Sequence, residues 1–437
     1  MRASEHSTRR RPSRTALWLL VVLVVVAPAL VSGTVARAVS VSASPSIPRA
    51  ASGREYRDRV AKREASRAGG PAARRRAAAR TTRNARTLFS SRRMRLARRT
   101  RESIRAAAAP LVFGIYPGGA AGTVGPAGDT KPEVADLRVG ALDQLRADSQ
   151  SFVLHLYDSF TRPSDADAVP SWLRDQIADY TAHGFRIELV LTYRPAASGG
   201  DVDGFADFVR ARVRQLGSER RVTHIQVTNE ANVAGAPDAA DGAYRGARDA
   251  LIRGVIAAKD EARRNSYDQL RIGFNWAYQV GRSENAFFSY LGSAGGSAFS
   301  RAVDWVGLDA YPGTWGPALP KGDLADGVRL ATVAAMRQLR ETLLPLARLS
   351  SVPMHFAESG YPTGPQRTDA MQQTVLTAAV ETIHANRAKY GVTDYRWFDL
   401  RDADSAGGFE SQYGITRDDY SAKPAFFAYR DLIAKLG

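Results

Sequence analysis

Residues 223–232 read THIQVTNEAN, and residues 352–363 read VPMHFAESGYPT. Each stretch begins with a short run of mostly apolar and β-branched residues and continues into a glutamate followed by turn-forming residues. Runs of this length and composition are typical of β-strands. In both stretches the glutamate therefore stands where the predicted strand ends.

Six further runs of the same kind occur between residue 111 and residue 400. The eight predicted strands cover residues 111–116, 152–157, 186–193, 223–228, 270–276, 303–311, 352–357 and 395–400. Amphipathic stretches between and after them predict helices, including residues 131–147, 170–183, 202–216, 241–264, 323–349, 368–390 and 423–436.

The alternation of strands with helices predicts an α/β fold in which parallel strands are joined by helical crossovers. Eight such units in one chain fit a closed (β/α)8 TIM barrel. An open, doubly wound sheet is the alternative. It is less favoured because no G-x-G-x-x-G or phosphate-binding loop follows any of the predicted strands.

The basic character of the chain belongs to its N-terminal part. Residues 1–109 contain 26 Lys and Arg against 5 Asp and Glu, a net charge of +21, whereas residues 110–437 contain 35 against 39, a net charge of −4. A slightly acidic composition rich in aromatic residues is typical of an ordinary globular domain. We therefore predict three segments, residues 1–38, 39–108 and 109–437, of which the last is the barrel.

The first segment has the order of an export signal. Arg9, Arg10, Arg11 and Arg14 precede an apolar run, ALWLLVVLVVVAPALV, at residues 16–31. Residues 36–38, Ala-Arg-Ala, offer a cleavage site, but the uncleaved run is also long enough, with its flanks, for a tilted membrane anchor. Both alternatives predict that the barrel is extracellular, either secreted or held at the outer side of the membrane.

Arginine, alanine and serine dominate residues 49–105, with few large apolar side chains. Such a composition cannot form a core and predicts a disordered linker. A solvated spacer is the favoured interpretation, and an arm that binds an anionic polymer of the cell envelope is the alternative. Nucleic acid is not expected as a partner, because aromatic residues are not interleaved with the charges.

Cysteine is absent, which excludes disulfides, thiolate nucleophiles and cysteine-based metal sites. The six histidines are scattered and form no H-E-x-x-H motif. The sequence therefore predicts neither a catalytic metal nor a cofactor.

Barrel enzymes carry their catalytic residues where strands end at the C-terminal face. By period-two alternation, Glu230 shares a face with His224, and Glu358 shares a face with Met354 and Phe356. Two opposed carboxyl groups are what cleavage of a glycosidic bond requires, one to protonate the leaving oxygen and one to act at the anomeric carbon. Their separation, which decides between retention and inversion, is left open by the sequence.

The other strand ends supply groups that suit a sugar, which presents hydroxyls at its edges and C–H faces to aromatic rings. The candidate substrate-binding residues at these ends are His155, Tyr157, Trp276, Asp309, Tyr311, Trp315 and Trp397. A polysaccharide or oligosaccharide is the predicted substrate.

With these residues in place, the chain from residue 111 onward resembles clan A of the glycoside hydrolases. The resemblance implies a retaining enzyme acting on β-linked glycans, with Glu230 as the acid/base and Glu358 as the nucleophile. It further implies that Asn229 contacts the sugar 2-hydroxyl and that Tyr311 donates a hydrogen bond to the nucleophile. Trp397 would be the platform under the sugar at the cleavage point.

Two other functional hypotheses stay open. One is a non-hydrolytic barrel of the cell envelope that binds or transglycosylates polysaccharide. The other is an envelope tether in which the arginine-rich segment is the functional part.

Overall fold

Eight parallel strands close into a barrel in the order in which they occur along the chain. The computed structural model describes residues 110–119 and 130–437. Because the last strand pairs with the first, the sheet has no free edge. The strands are β1 (Val112–Ile115), β2 (Val153–Phe160), β3 (Arg186–Tyr193), β4 (Val222–Val227), β5 (Arg271–Ala277), β6 (Trp305–Asp309), β7 (Met354–Glu358) and β8 (Val392–Trp397).

Helices connect consecutive strands, and several are capped at their first turn: Asp201, Asp323 and Thr368 each accept a hydrogen bond there from a backbone amide. A π-helical stretch, Gln338–Leu343, follows the helix Leu324–Arg337 and continues into a helical turn at Leu344–Leu346. The helices are α1 (Ala135–Arg146), α2 (Ser171–Ala182), α3 (Val202–Leu216), α4 (Ala247–Arg264), α5 (Arg282–Ala294), α6 (Gly296–Ala302), α7 (Leu324–Arg337), α8 (Asp369–Tyr390) and α9 (Pro424–Leu436).

The closed barrel confirms the predicted fold class and excludes the open sheet. All eight predicted strands are present, and their ends lie within three residues of the predicted positions. The prediction did not name α5 and α6, which both lie between β5 and β6. The predicted helix 241–264 begins later, at Ala247, after a separate 3₁₀ turn, Asp241–Ala243.

Paired charges fill part of the barrel interior. Arg396 Nη2 lies 3.1 Å from Glu188 Oε2 and 2.9 Å from Asp394 Oδ1, and Asp394 Oδ2 lies 3.1 Å from His355 Nε2. All four side chains are buried. Buried charges are tolerated only when they are paired and hydrogen-bonded. Arg396 and its two carboxylate partners therefore tie β8 to β3 in the barrel interior.

Glycine makes room for these large interior side chains. A Cβ atom on Gly114 would lie 2.2 Å from the Val153 carbonyl oxygen and 2.6 Å from Arg396 Cδ. A Cβ atom on Gly273 would lie 2.3 Å from the Trp305 ring. The missing side chains on β1 and β5 are therefore part of the packing of the barrel interior.

The predicted export or anchor segment and the predicted linker, residues 1–38 and 39–108, lie outside the described residues. Within residues 110–119 and 130–437, no helix has the length and apolar composition that a membrane span requires.

Gly114→Ala is expected to lower the free energy of unfolding by about 1–3 kcal/mol, because the added Cβ overlaps backbone that cannot move freely. Gly140→Ala in α1 is the matched control, since its Cβ would meet nothing within 4 Å. That helical substitution is expected to raise stability by roughly 0.5–1 kcal/mol. Chemical denaturation measures both, and equal stability of Gly114→Ala and the unmodified protein would contradict the described packing.

Candidate active site

Glu230 lies on a sharp turn directly after β4. Thr228 and Glu230 adopt positive φ angles of 66° and 48°, which cost on the order of 1–3 kcal/mol each for residues with a side chain. The turn is held by side-chain acceptors: the Glu230 amide donates to Asn275 Oδ1 at 2.8 Å, and the Asn229 amide donates to Asp241 Oδ2 at 2.8 Å. These bonds fix the position from which the Glu230 side chain extends.

Glu358 ends β7 beyond a β-bulge. Phe356 is paired in the regular register with β6, but the next β6 residue, Asp309, pairs with Glu358, so Ala357 is the extra residue. Phe356 packs against the Tyr395 ring, whereas Glu358 faces the barrel mouth. The predicted shared face of Glu358 and Phe356 is therefore wrong, because the bulge reverses the alternation.

Two tyrosines from opposite sides hold the Glu358 carboxyl group. The Tyr157 hydroxyl donates to Oε1 at 2.6 Å, and the Tyr311 hydroxyl donates to Oε2 at 2.7 Å. Tyr157 lies on β2 and Tyr311 follows β6, on the opposite side of the barrel. The two hydrogen bonds therefore fix the orientation of the Glu358 carboxyl group in the barrel mouth. Hydroxyl donors on both oxygens match an acceptor that carries a negative charge.

Three carboxyl groups meet at the mouth. Glu230, Asp309 and Glu358 each place an oxygen within 4.8 Å of the others. Asp309 accepts a hydrogen bond from Asn275 Nδ2, and the same amide group donates to Asn229 Oδ1 at 2.7 Å. The residues expected at the ends of β4, β6 and β7 are therefore brought together in one cluster.

Crowding keeps the carboxyl groups from all being charged. Burial raises the pKa of Glu230, and the negative charges of Glu358 and Asp241 raise it further. Burial likewise raises the pKa of Asp309 well above its usual range, helped by the charges of Glu358 and Glu230. The cluster therefore favours the neutral forms of Glu230 and Asp309.

Aromatic rings form the wall of the mouth beside Glu358. The Phe398 ring stacks on Tyr116 with centroids 4.9 Å apart, and it lies 6.4 Å from Tyr311 and 6.1 Å from Tyr413. Tyr157 contacts Tyr116 edge-on at 5.5 Å. These rings can present apolar faces to the C–H surface of a sugar.

A pair of exposed rings continues this wall outward. Trp315 is 51% exposed and Phe409 is 36% exposed, and their ring centroids lie 5.9 Å apart. The pair joins the wall through Tyr413, whose side chain lies beside Trp315 and 5.9 Å from the Tyr311 ring. The predicted placement of Trp315 near the mouth agrees with this arrangement.

Two predicted substrate-binding tryptophans face the wrong way. Trp397 is fully buried and belongs to the main hydrophobic core, and the neighbouring Phe398 lines the mouth in its place. Trp276 is also fully buried, and its Nε1 donates to Glu284 at 2.7 Å on α5. Neither ring can stack on a sugar, because each lies on the outer side of its strand.

His155 is close to the site but cannot contact a substrate. It is 1% exposed, and its two ring nitrogens lie 2.7 Å from Glu188 Oε1 and 3.1 Å from the Tyr157 hydroxyl. The expectation that His155 binds substrate is therefore corrected. Tyr157 carries the contact onward to Glu358.

Several residues of the site, including Asn275, Asp241 and Phe398, are not among the predicted site residues. Asn275 joins Asn229, Glu230 and Asp309, and Asp241 accepts from the Asn229 and Tyr193 amides. Phe398 lines the mouth. Asn275 and Phe398 each stand next to a predicted tryptophan. In β5, Phe274 and Trp276 belong to the hydrophobic core outside the barrel, so the alternation of side chains along the strand points Asn275 to the interior.

Two groups of side chains could hold a metal ion by geometry: Glu230, Asp309 and Glu358, and separately His224, His355 and Asp394. In the second group Arg396 already supplies the positive charge beside Asp394. In the first, the two tyrosine hydroxyls donate to Glu358. Protein donors thus already satisfy a carboxylate in each group.

No protein-family model matches the sequence, and no curated protein matches it. Solved structures with a similar fold include a glucosidase from Croceicoccus marinus, with a TM-score of 0.50 and 16% identity over 75% of this chain and 71% of that chain. A family 39 glycoside hydrolase from Bacteroides cellulosilyticus WH2 has a TM-score of 0.48 and 13% identity over 75% of this chain and 64% of that one. A β-glucuronidase of Dictyoglomus thermophilum has a TM-score of 0.48 and 12% identity over 75% of this chain and 51% of that one.

This chain spans about half to two thirds of the length of the last two structures. At these identities the similarity concerns the fold alone. The similarity agrees with the closed eight-stranded barrel described above.

Glu358→Gln is expected to lower the pKa of Glu230, because it removes the nearest negative charge that opposes ionisation of Glu230. A carbon-13 NMR titration of the glutamate carboxyl groups measures this shift without any substrate. Glu381→Gln, on the exposed face of α8, is the control and should leave Glu230 unchanged. An unchanged Glu230 titration in Glu358→Gln would show that the two groups are not electrostatically coupled.

Proposed function

We propose that the barrel is a retaining glycoside hydrolase that cleaves β-linked glycans, with Glu358 as the nucleophile and Glu230 as the acid/base. The observation that carries the proposal is the approach of these two side chains, which place carboxyl oxygens within 4.8 Å of each other. Carboxyl groups about 5 to 5.5 Å apart suit a covalent intermediate, whereas about 6.5 to 9.5 Å leaves room for an inverting water. An approach of at most 4.8 Å between one oxygen of each group supports the closer, retaining arrangement.

In the first step, a Glu358 oxygen attacks the anomeric carbon while Glu230 donates its proton to the departing glycosidic oxygen. The bond to the leaving sugar breaks as the bond to Glu358 forms. Tyr157 and Tyr311 donate hydrogen bonds to the two Glu358 oxygens and so hold the carboxylate in line for attack.

In the second step, Glu230 is a carboxylate and takes a proton from water, which attacks the anomeric carbon and releases Glu358. The environment suits this exchange of roles. The charge of Glu358 raises the pKa of Glu230 in the free enzyme, and esterification of Glu358 removes that charge. Glu230 is therefore protonated and acts as the acid in the first step. After that step its pKa is lower, so it is ionised more readily and acts as the base.

Aromatic and polar groups at the mouth support a carbohydrate substrate. Phe398 and Tyr116 supply an aromatic surface beside Glu358. Asn229 stays the proposed contact of the 2-hydroxyl, by resemblance to clan A.

We also propose that the barrel acts outside the cytoplasm. The basic residues before the apolar run at residues 16–31 support export, either with cleavage or with retention as an anchor. The arginine-rich residues 49–105 are proposed to be a spacer, with binding of an anionic envelope polymer as the second candidate role.

Glu358→Gly is expected to lose turnover of an aryl β-glycoside and to regain it with azide, giving the α-glycosyl azide, since azide attacks from the side of the missing carboxylate. Glu230→Gly is the matched variant. There azide attacks the covalent intermediate from the leaving-group side, so the β-glycosyl azide is expected. Proton NMR of the products distinguishes the anomers, and unimpaired turnover by Glu358→Gly would disprove the assignment.

Trp315→Ala is expected to reduce kcat/KM for glycan oligomers by roughly twofold to tenfold, which corresponds to about 0.5–1.5 kcal/mol of lost stacking. The kcat/KM for an aryl monoglycoside should fall by less, because this short substrate does not reach the Trp315 and Phe409 rings. Trp172→Ala, an exposed tryptophan in α2, is the control. Equal losses on long and short substrates would argue against a contact between Trp315 and an extended chain.

A further inference from the structure

A line of buried polar groups connects Arg396 on β8 to the carboxyl group of Glu358. Arg396 Nη2 lies 3.1 Å from Glu188 Oε2, and Glu188 Oε1 lies 2.7 Å from His155 Nδ1. His155 Nε2 lies 3.1 Å from the Tyr157 hydroxyl oxygen, which is 2.6 Å from Glu358 Oε1. We call these five residues the Arg396–Glu358 line.

Counting protons along this line fixes the state of His155. The Tyr157 hydroxyl has a single hydrogen, and Glu358 accepts it. The hydrogen bond between Tyr157 and His155 therefore needs a hydrogen on Nε2. On the other side of the ring, Nδ1 faces a carboxylate oxygen at 2.7 Å and needs a hydrogen as well. Both nitrogens are donors only in the imidazolium form.

We propose that His155 is a buried imidazolium that aims the Tyr157 hydroxyl at Glu358 and keeps Glu358 ionised by its positive charge. His155 Nε2 lies 3.7 Å from Glu358 Oε1, close enough for a direct electrostatic effect in a buried setting. His155 is a positioning residue, since it acts through Tyr157 and does not reach the substrate. Its effect on catalysis rests on the proposed function, whereas its protonation does not.

The groups around His155 support the charged state. It faces Tyr157 on its own strand, Glu188 on β3 and Glu358 on β7, with Arg396 on β8 beyond Glu188. Burial opposes the charge, but hydrogen bonds and attraction to Glu188 and Glu358 outweigh it and raise the pKa of His155. Against its own burial, the pKa of Glu188 is held below its usual range by Arg396 and His155.

A positively charged His155 would offset the electrostatic repulsion within the carboxyl cluster. Glu358 has to stay charged while Glu230 and Asp309, with oxygens within 4.8 Å, raise the cost of any negative charge there. A positive charge on the far side of Glu358 offsets that cost. It also makes Glu358 a better leaving group when the covalent intermediate is hydrolysed, because the departing carboxylate regains its charge beside the imidazolium.

Nitrogen-15 NMR of the histidine-labelled full chain tests the protonation directly, with His155→Gln assigning the signals. In the unmodified protein at pH 7, both ring nitrogens of His155 are expected to carry a hydrogen. In Glu188→Gln, the His155 ring is expected to lose one of these hydrogens at a lower pH than in the unmodified protein. A singly protonated His155 ring at pH 7 would overturn the proposal. This measurement needs no substrate, so it is decided even if no glycoside is cleaved.

The catalytic consequence is tested by the pH dependence of kcat/KM. In His155→Gln the acid limb is expected to move to higher pH by about one to three units, because Glu358 loses a nearby opposite charge and accepts a proton more readily. His224→Gln is the matched control, since His224 lies against His355 and Trp305 and makes no contact with Tyr157 among its described contacts.

Tyr157→Phe separates orientation from charge. It removes the hydroxyl but keeps the imidazolium, so the acid limb should move by less than in His155→Gln, while kcat falls. If the acid limb of kcat/KM lies at the same pH in His155→Gln, His224→Gln and the unmodified protein, the proposed effect of His155 on Glu358 is wrong. His155 would then have a structural role only. Absence of turnover in the unmodified chain would instead disprove the proposed function.

Discussion

Three carboxyl groups share the mouth of one closed barrel, and the electrostatic cost of that arrangement governs the rest of the site. Glu230, Asp309 and Glu358 cannot all ionise when their oxygens lie within 4.8 Å of each other in a partly buried space. The site resolves the conflict by giving each group a different environment. Glu358 receives two hydroxyl donors, whereas burial raises the pKa values of Glu230 and Asp309.

The interior of the barrel supports this division of charge. Arg396, Glu188 and His155 form a buried alternation of positive and negative groups that ends beside Tyr157 and Glu358. Such groups are stable only as a complete set, because removing one leaves a buried charge without a partner. The same residues therefore contribute both to the packing of the barrel and to the state of the carboxyl group at its mouth.

Sequence patterns located the strands correctly and placed Glu230 and Glu358 where β4 and β7 end, but they did not show which of two neighbouring residues faces inward. The turn after β4 and the bulge at Ala357 both change the backbone path just before a functional side chain. A one-residue error moves a side chain to the other face of a strand. Trp276 and Trp397 are predicted from their ring chemistry, but the residues that face inward are their neighbours, Asn275 and Phe398.

The sequence by itself determined the eight alternating strand and helix units, because hydrophobic periodicity and turn residues are local signals. It favoured a closed barrel, and the pairing of the last strand with the first decided against an open sheet. The sequence also placed Glu230 and Glu358 at strand ends, which a parallel barrel brings to one face. Only the tertiary structure decided their separation, the contribution of Asp309 and the two hydrogen-bonding partners of His155. Those features depend on contacts between residues far apart in the chain, such as Tyr157 and Glu358, and on a bulge that no local pattern reveals.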